Sequence, residues 1–256
     1  MAAHEKLGRL PAIALVAFLW LLIWEGASLA LGSSLLLPGP RVVLLALISQ
    51  AQETDFWQSI GFSIGRIVLG FFGGVLTALV VSIASELSHR IKSFIGPVVH
   101  ILKTVPVASF IVLVLVWVNA QDLALVISYL MAFPIMVINL NKGFQSVDAR
   151  VLELARIYKV SRETRFKTIY LASVFPYFQA GLSLALGLCW KAGIAAEVIA
   201  LPAQSIGSHL FDAKVYLDTP KLFAWTIVIV LLSFTFEHAI KALLLWWRRR
   251  WERSLW

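Results

Sequence analysis

The chain has 256 residues, 60% hydrophobic and only 14% charged, with a net charge of +8 and a mean hydropathy of +0.85. A soluble domain carries about 25% charged and 45–50% apolar residues. A soluble globule is therefore excluded, and so is a disordered chain, which would be polar and charge-rich. The composition predicts an all-α polytopic membrane protein. Its single cysteine, Cys189, leaves no disulfide framework and no cysteine metal site.

A spanning helix takes about 20 mostly apolar residues. Six stretches qualify or come near: 10–31, 59–85, 94–118, 123–140, 171–200 and 222–247. The first is longer than a signal-peptide core of about 7–15 residues, so it reads as a membrane helix. After it, Leu37-Pro38-Gly39-Pro40 precedes an apolar run, 42–48, too short to cross; this reads as an outer interfacial helix opened by proline. The second span holds two GxxxG pairs, Gly61–Gly65 and Gly70–Gly74, which let helix backbones approach closely. Gly61-Phe62-Ser63-Ile64-Gly65 also satisfies G-x-S-x-G, but a hydrolase elbow needs a strand–turn–helix setting, and here the motif opens a span. Pro106 and Pro134 interrupt spans three and four; such kinks either line a pathway or are ordinary membrane prolines. The turn Asn119-Ala120-Gln121-Asp122 precedes the fourth span, the shortest.

Lysine and arginine set the orientation. With a cytoplasmic N-terminus, 16 of the 22 fall on the cytoplasmic side and 4 outside (Arg41, Arg66, Lys214, Lys221), with Lys103 and Lys191 inside spans. The positive charge thus reads as topology, not as a nucleic-acid footprint. Trp246, Trp247, Trp251 and Trp256 among C-terminal arginines read as a cytoplasmic interface anchor. The five histidines are scattered and read as solvent or interface residues.

The ionisable residues within spans are Glu25, Lys103, Lys191, Glu197 and Glu237. A lone charge at mid-bilayer costs about 2.5–3.5 kcal/mol even on insertion scales, so each should face protein or water. Lys103 can snorkel. Lys191 and Glu197 stand six apart, whereas favoured helical pairs are three or four apart. Lys191 belongs to the outer half of span five. It either draws an anion into a cavity or pairs with Glu197 of a second copy, with Glu25 or with Glu237.

The longest cytoplasmic connection, 141–170, joins spans four and five. Ser146 is a plausible N-cap with Asp148 in the first turn. Val147, Val151, Leu154, Ala155 and Tyr158 recur at helical spacing as one apolar stripe, with Arg150, Glu153 and Arg156 away from it. Ser161 caps a second helix. The expectation is a helix–turn–helix pair lying against the membrane. No P-loop or HExxH motif occurs, so an energy source would sit in another subunit.

Glu153-Leu154-Ala155-Arg156, followed by Ser161, Phe166, Ile169, Leu171 and Pro176, resembles the EAA loop of ABC importer permeases. Leu37-Pro38-Gly39-Pro40, Ser63-Ile64-Gly65-Arg66 with Gly70-Phe71, Lys103-Thr104-Val105-Pro106, Ala132-Phe133-Pro134 and Tyr216-Leu217-Asp218-Thr219 extend the resemblance over nearly the whole chain. The nearest group is the nitrate/sulfonate/taurine/bicarbonate type, with relatives serving pyrimidine, thiamine-precursor or riboflavin uptake. The resemblance implies a type I importer permease, one domain over 1–256, multi-pass in a bacterial inner membrane with both termini cytoplasmic. It implies no cofactor in this chain, with ATP and Mg²⁺ bound by a cytosolic ABC ATPase dimer. It further implies an extracytoplasmic binding protein or lipoprotein and a second permease copy. Glu153, Leu154, Ala155, Arg156, Tyr158, Lys159 and Ser161 become the ATPase-coupling residues, and Lys103, Pro106, Pro134, Lys191 and Glu197 the pathway candidates. Two positions depart from the family. Lys159 replaces the usual turn glycine, at a cost of about 1–2 kcal/mol if the turn is left-handed, and Ala172 stands where proline is favoured. The competing class, a secondary transporter or another non-ABC membrane protein, should show inverted repeats or a catalytic constellation; no convincing repeat is visible.

Overall fold

A computed structural model describes the backbone of residues 2–253 and, within it, the side chains of 15–246 and 250. All regular elements among the described residues are helical. In chain order they are α1 (Ala2–Leu31), α2 (Pro40–Ala51), α3 (Thr54–Leu87), α4 (His89–Thr104), α5 (Val107–Val114), α6 (Ala120–Gln145), α7 (Ala149–Ile157), α8 (Arg162–Arg165), a π turn (Phe166–Tyr170), α9 (Leu171–Ala200), α10 (Ile206–Val215) and α11 (Thr219–Arg253).

The core is the triple packing of α3, α6 and α9. Small residues set its tightness. A Cβ on Gly70 would stand 2.1 Å from the Leu125 carbonyl oxygen, and one on Gly74 would stand 2.7 Å from that of Tyr129. These approaches pair Gly70 with Leu125 and Gly74 with Tyr129, so α3 and α6 run parallel. α9 runs antiparallel to both: Gly181 meets Met136 and Asn139, while Gly193 meets Ile67 and Ser128. Ser128 and Cys189 tie the crossing, the thiol donating to the Ser128 carbonyl at 3.1 Å and the Ser128 hydroxyl to the Cys189 carbonyl at 3.4 Å. The apolar window of α6 is 61% buried and that of α11 only 6%. α6 is therefore the central helix, and α11 presents most of its apolar surface outward.

Four helices among the described residues are long and apolar enough to cross a membrane: α3, α6, α8–α9 taken together, and α11. The expected third span, 94–118, is not one helix. α4 and α5 meet at 107°, because Pro106 holds Val105 extended at φ −67°, ψ 131° and ends α4 at Thr104. Since α3 and α6 run parallel, the chain between them must return across the bundle. The bent pair is thus a broken span and makes a fifth crossing. For the first expected span, 10–31, the described side chains begin at Leu15, and the apolar stretch Leu15–Leu31 falls short of a counted crossing.

Three local expectations change. The fourth span is not short, because Asn119 is the extended N-cap of a helix that runs on to Gln145. Ser146 closes α6, its hydroxyl donating to the Gly143 carbonyl at 2.7 Å, and Asp148 caps α7 by accepting from the Arg150 amide at 2.8 Å. Ser161 does cap α8, accepting from the Thr164 amide at 3.1 Å, but α8 passes through the π turn into α9. The second helix of the loop is therefore an extension of span five rather than a separate surface helix. At the C-terminus Arg250 lies over the Trp246 ring at 5.5 Å. The other tryptophans of the expected anchor, Trp247, Trp251 and Trp256, lie outside the described side chains, as do His4, Lys6, Arg9, Arg248, Arg249 and Arg253.

Candidate functional site

Two regions stand out, one at each end of the bundle. The first is α7. It makes no extensive contact with any other helix. Along it Val151 is 43% exposed, Leu154 53% and Ile157 67%, and Tyr158 at its C-cap is 78% exposed; only Ala155 is buried. Of the expected apolar stripe, Ala155 packs against this chain and Val147 is half-buried, while Val151, Leu154 and Tyr158 are exposed. Glu153 and Arg156 are exposed beside it and have no ion pair among the described residues. The turn that follows is left-handed at Lys159, with φ 53°. The Val160 amide donates to the Ala155 carbonyl at 2.9 Å and the Lys159 amide to that of Arg156 at 3.0 Å. This is the closed turn that normally takes glycine. It hands the chain to Ser161, so all seven coupling candidates lie on one short stretch at the end of the bundle where α3 and α6 finish and α9 begins.

The second region is at the opposite end of the bundle. Glu197, in the last turn of α9, is fully buried. Its Oε2 accepts from the Ser63 hydroxyl at 2.8 Å and from the Gly207 amide at 3.2 Å. The Ser63 hydroxyl oxygen in turn accepts from the Ile206 amide at 3.0 Å. A carboxylate at the N-terminus of α10 sits where helix dipoles favour negative charge. Gly207 is required by space, since a Cβ there would meet that of Glu197 at 2.3 Å. Arg66 completes the cluster. Its Nη1 lies 3.7 Å from Glu197 Oε1, its Nη2 donates to Gln121, and its guanidinium covers the Phe62 ring. Arg66, expected in an outer segment, is thus well inside α3 and is the partner that Glu197 required.

The remaining pathway candidates divide by exposure. Pro134 is buried inside the bundle, while Lys103 and Pro106 are exposed at the elbow between α4 and α5. Lys191 is exposed, one turn from Gly187, around which there is open space. Within this one chain Lys191 has no ion pair among the described residues. Glu197 is enclosed within its own subunit, and Glu237 pairs with Lys241 at 2.5 Å. Glu25 lies against Gly39. G-x-S-x-G is continuous helix with its serine bound to Glu197, which is no nucleophile elbow. At the same end as Glu197, α2, α3, α10 and α11 enclose a cleft of about 320 Å³ lined in part by Glu53, Phe56, His209, Asp212, Tyr216 and Trp225. His209 there pairs with Asp55 at 3.1 Å and stacks on Trp225. No cluster of metal-ligating side chains occurs among the described residues.

These features define a multi-pass helical membrane protein with a free-standing amphipathic helix at one end. Residues 70–251 match the family described as the binding-protein-dependent transport system inner membrane component, and the chain belongs to that family. It is 29% identical over 238 residues to the taurine transport system permease protein of Escherichia coli (strain K12), covering 91% of this chain and 86% of that one. It is 27% identical over 248 residues to a permease of Bacillus subtilis (strain 168) named for aliphatic sulfonates transport, covering 95% and 87%. It is 28% identical over 206 residues to the nitrate import permease protein of Synechococcus elongatus, covering 76% and 73%. The chain is a permease subunit of an ABC importer in an inner membrane, whose partners include an ATPase and a substrate-binding protein. ATP hydrolysis is the work of the partner subunit.

Proposed function

We propose that this permease carries a small oxyanion of the sulfonate or nitrate kind, and that α7 is the helix through which a cytosolic ATPase drives it. The single observation that supports the coupling role is the exposure of Val151, Leu154, Ile157 and Tyr158 on α7. Glu153 supplies the polar contact in the ATPase groove, the buried Ala155 lets α7 lie close to the rest of its own chain, and Arg156, Lys159 and Ser161 shape the rim and the turn. Both termini are assigned to the cytoplasm, on the distribution of lysine and arginine. The end bearing Glu197 then faces outward, and its acidic and aromatic cleft is where an extracytoplasmic binding protein would dock. Two copies enclose the pathway; the open Gly61–Gly65 face of α3, with no atom within 4 Å of either Cβ position, suits close approach of a second helix. The names of the relatives support the substrate class. Pyrimidine and vitamin-precursor transport is the alternative within the same family.

Glu153→Arg tests this reading. The variant should reach the membrane at wild-type level yet lose copurifying ATPase and reduce ATP-driven taurine or nitrate uptake at least tenfold. The native mass of the wild-type complex should contain two permease copies. Normal ATPase association with normal uptake in the variant would remove α7 from the coupling role, and a single copy in an active complex would remove the pair.

A further inference from the structure

A cavity of about 280 Å³ lies between the end of α3, the start of α4 and the end of α6, at the same end of the bundle as α7. Five polar side chains line it: Ser85, Lys92, Asn141, Lys142 and Gln145. None of the five side chains has a hydrogen-bond or ion-pair partner among the described residues. Ser85 is the most telling. It is 4% exposed, and its buried hydroxyl is unsatisfied, a state that costs about 1–3 kcal/mol unless something else fills the bond. The lining holds two ammonium groups, two side-chain amides and a hydroxyl, but no carboxylate. Lysine only donates, and amide and hydroxyl can donate too, so the set is matched to an acceptor-rich ligand.

The local helix chemistry points the same way. The first turn of α4 contains no acidic residue. It carries His89, Arg90 and Lys92, cations at the helix end where the dipole disfavours them, and its N-cap Ser88 forms no side-chain cap. A ligand of negative charge beside Lys92 would relieve the crowded cations. There is open space besides, since nothing stands within 4 Å of a Cβ at Gly96, and 280 Å³ holds an oxyanion with several waters at about 30 Å³ each.

From this arrangement we infer that the cavity is an oxyanion-binding site, with Lys92 and Lys142 as its charged ligands and Ser85, Asn141 and Gln145 as its neutral donors. The chemistry recognised is a sulfonate, nitrate, sulfate or phosphate group. Two sources can present it: a soluble anion, or the headgroup of an anionic phospholipid. Gln145 is four residues from the start of α7, so the occupied site would restrain the segment that leads into the coupling helix. The inference rests on the transport reading only in its choice of taurine and nitrate as probes.

The test uses the full-length permease without ATPase, so that failure of the coupling assignment leaves it intact. In phosphatidylcholine nanodiscs, taurine, nitrate or sulfate should raise the thermal midpoint and slow hydrogen exchange at the α3–α4 junction and the end of α6, with no such effect from chloride at matched ionic strength. In nanodiscs containing phosphatidylglycerol, mass spectrometry should instead find that lipid retained if the headgroup is the ligand. In either arm Lys92→Gln with Lys142→Gln should weaken binding by roughly tenfold or more, as expected for two charge-assisted contacts, and Lys142→Arg should preserve it. Both lysines are exposed, so the double variant should fold. Absence of an effect in both arms, an equal effect from chloride, or undiminished binding by the double variant would overturn the site.

Discussion

At the scale of single residues, Glu197 is the group whose surroundings decide most. It is fully buried, and two other helices meet on it: α3 through Ser63 and Arg66, and α10 through its N-terminus. Removing one partner of a buried pair strands the other, at a cost of about 3–5 kcal/mol, whereas removing both together is far cheaper. Arg66→Met should therefore lower stability by about 3 kcal/mol, the hydrogen bonds from Ser63 and Gly207 holding the loss to the lower end. Combining it with Glu197→Met should cost less than the two changes added. Thermal unfolding of the purified variants reads this coupling; strictly additive losses would show that the two charges are independent. The sequence announced that Glu197 needed a partner, since an intramembrane carboxylate cannot stay alone. It could not name that partner, because Ser63 lies 134 positions away and Arg66 reads on spacing as the edge of a loop. Gly207 was equally invisible: nothing local marks it, and its necessity comes only from the close approach of α10 to α9.

At the scale of elements, what was legible followed local chemistry, and what was missed followed tertiary context. The apolar runs of α3, α6, α9 and α11 and the cap at Ser161 were readable because periodicity and capping act within one segment. The elbow at Pro106 was readable as an interruption, but its angle of 107° was not, since it depends on where α5 packs. Ser146 and Asp148 compete for the same cap, and the structure divides them between two helices. The lysine in the α7 turn tests how far a tertiary frame overrides propensity. The same closure recurs after α10, where Leu217 adopts φ 57° and the Asp218 amide donates to the Ala213 carbonyl at 2.8 Å. In both places the hydrogen bonds hold a residue with a Cβ in a left-handed turn. Lys159→Gly should relieve about 1 kcal/mol of that strain. The Val160 amide, which closes the turn, should then exchange roughly fivefold more slowly, as measured by hydrogen exchange. Unchanged or faster exchange would show that the lysine carries no strain there.

At the scale of the whole molecule, the exposed faces separate into those that lipid can cover and those that it covers poorly. Lys191 is of the second kind, a cation on a face of α9 with open space beside Gly187 and no ion-pair partner among the described residues. We propose that it faces the pathway. Lys191→Met should assemble with wild-type yield and reduce uptake of an anionic substrate about tenfold, as fits a steering charge; unchanged uptake would sink the assignment, and loss of assembly would mark a structural role instead. The continuity of α8, the π turn and α9 has a mechanical meaning for such a machine. A helix over Arg162–Ala200, 39 residues, measures about 58 Å at 1.5 Å per residue. One end of this rod begins just after the turn that closes α7, and the other grips α10 through Glu197. On the proposed coupling role of α7, a push delivered at that end would reach the end bearing Glu197 along a single strut. On the same reading the π turn, where the hydrogen-bond register is widened, is the joint in that strut, and the position of α7 and the posture of the cleft beside Glu197 are geared to one another through one piece of backbone.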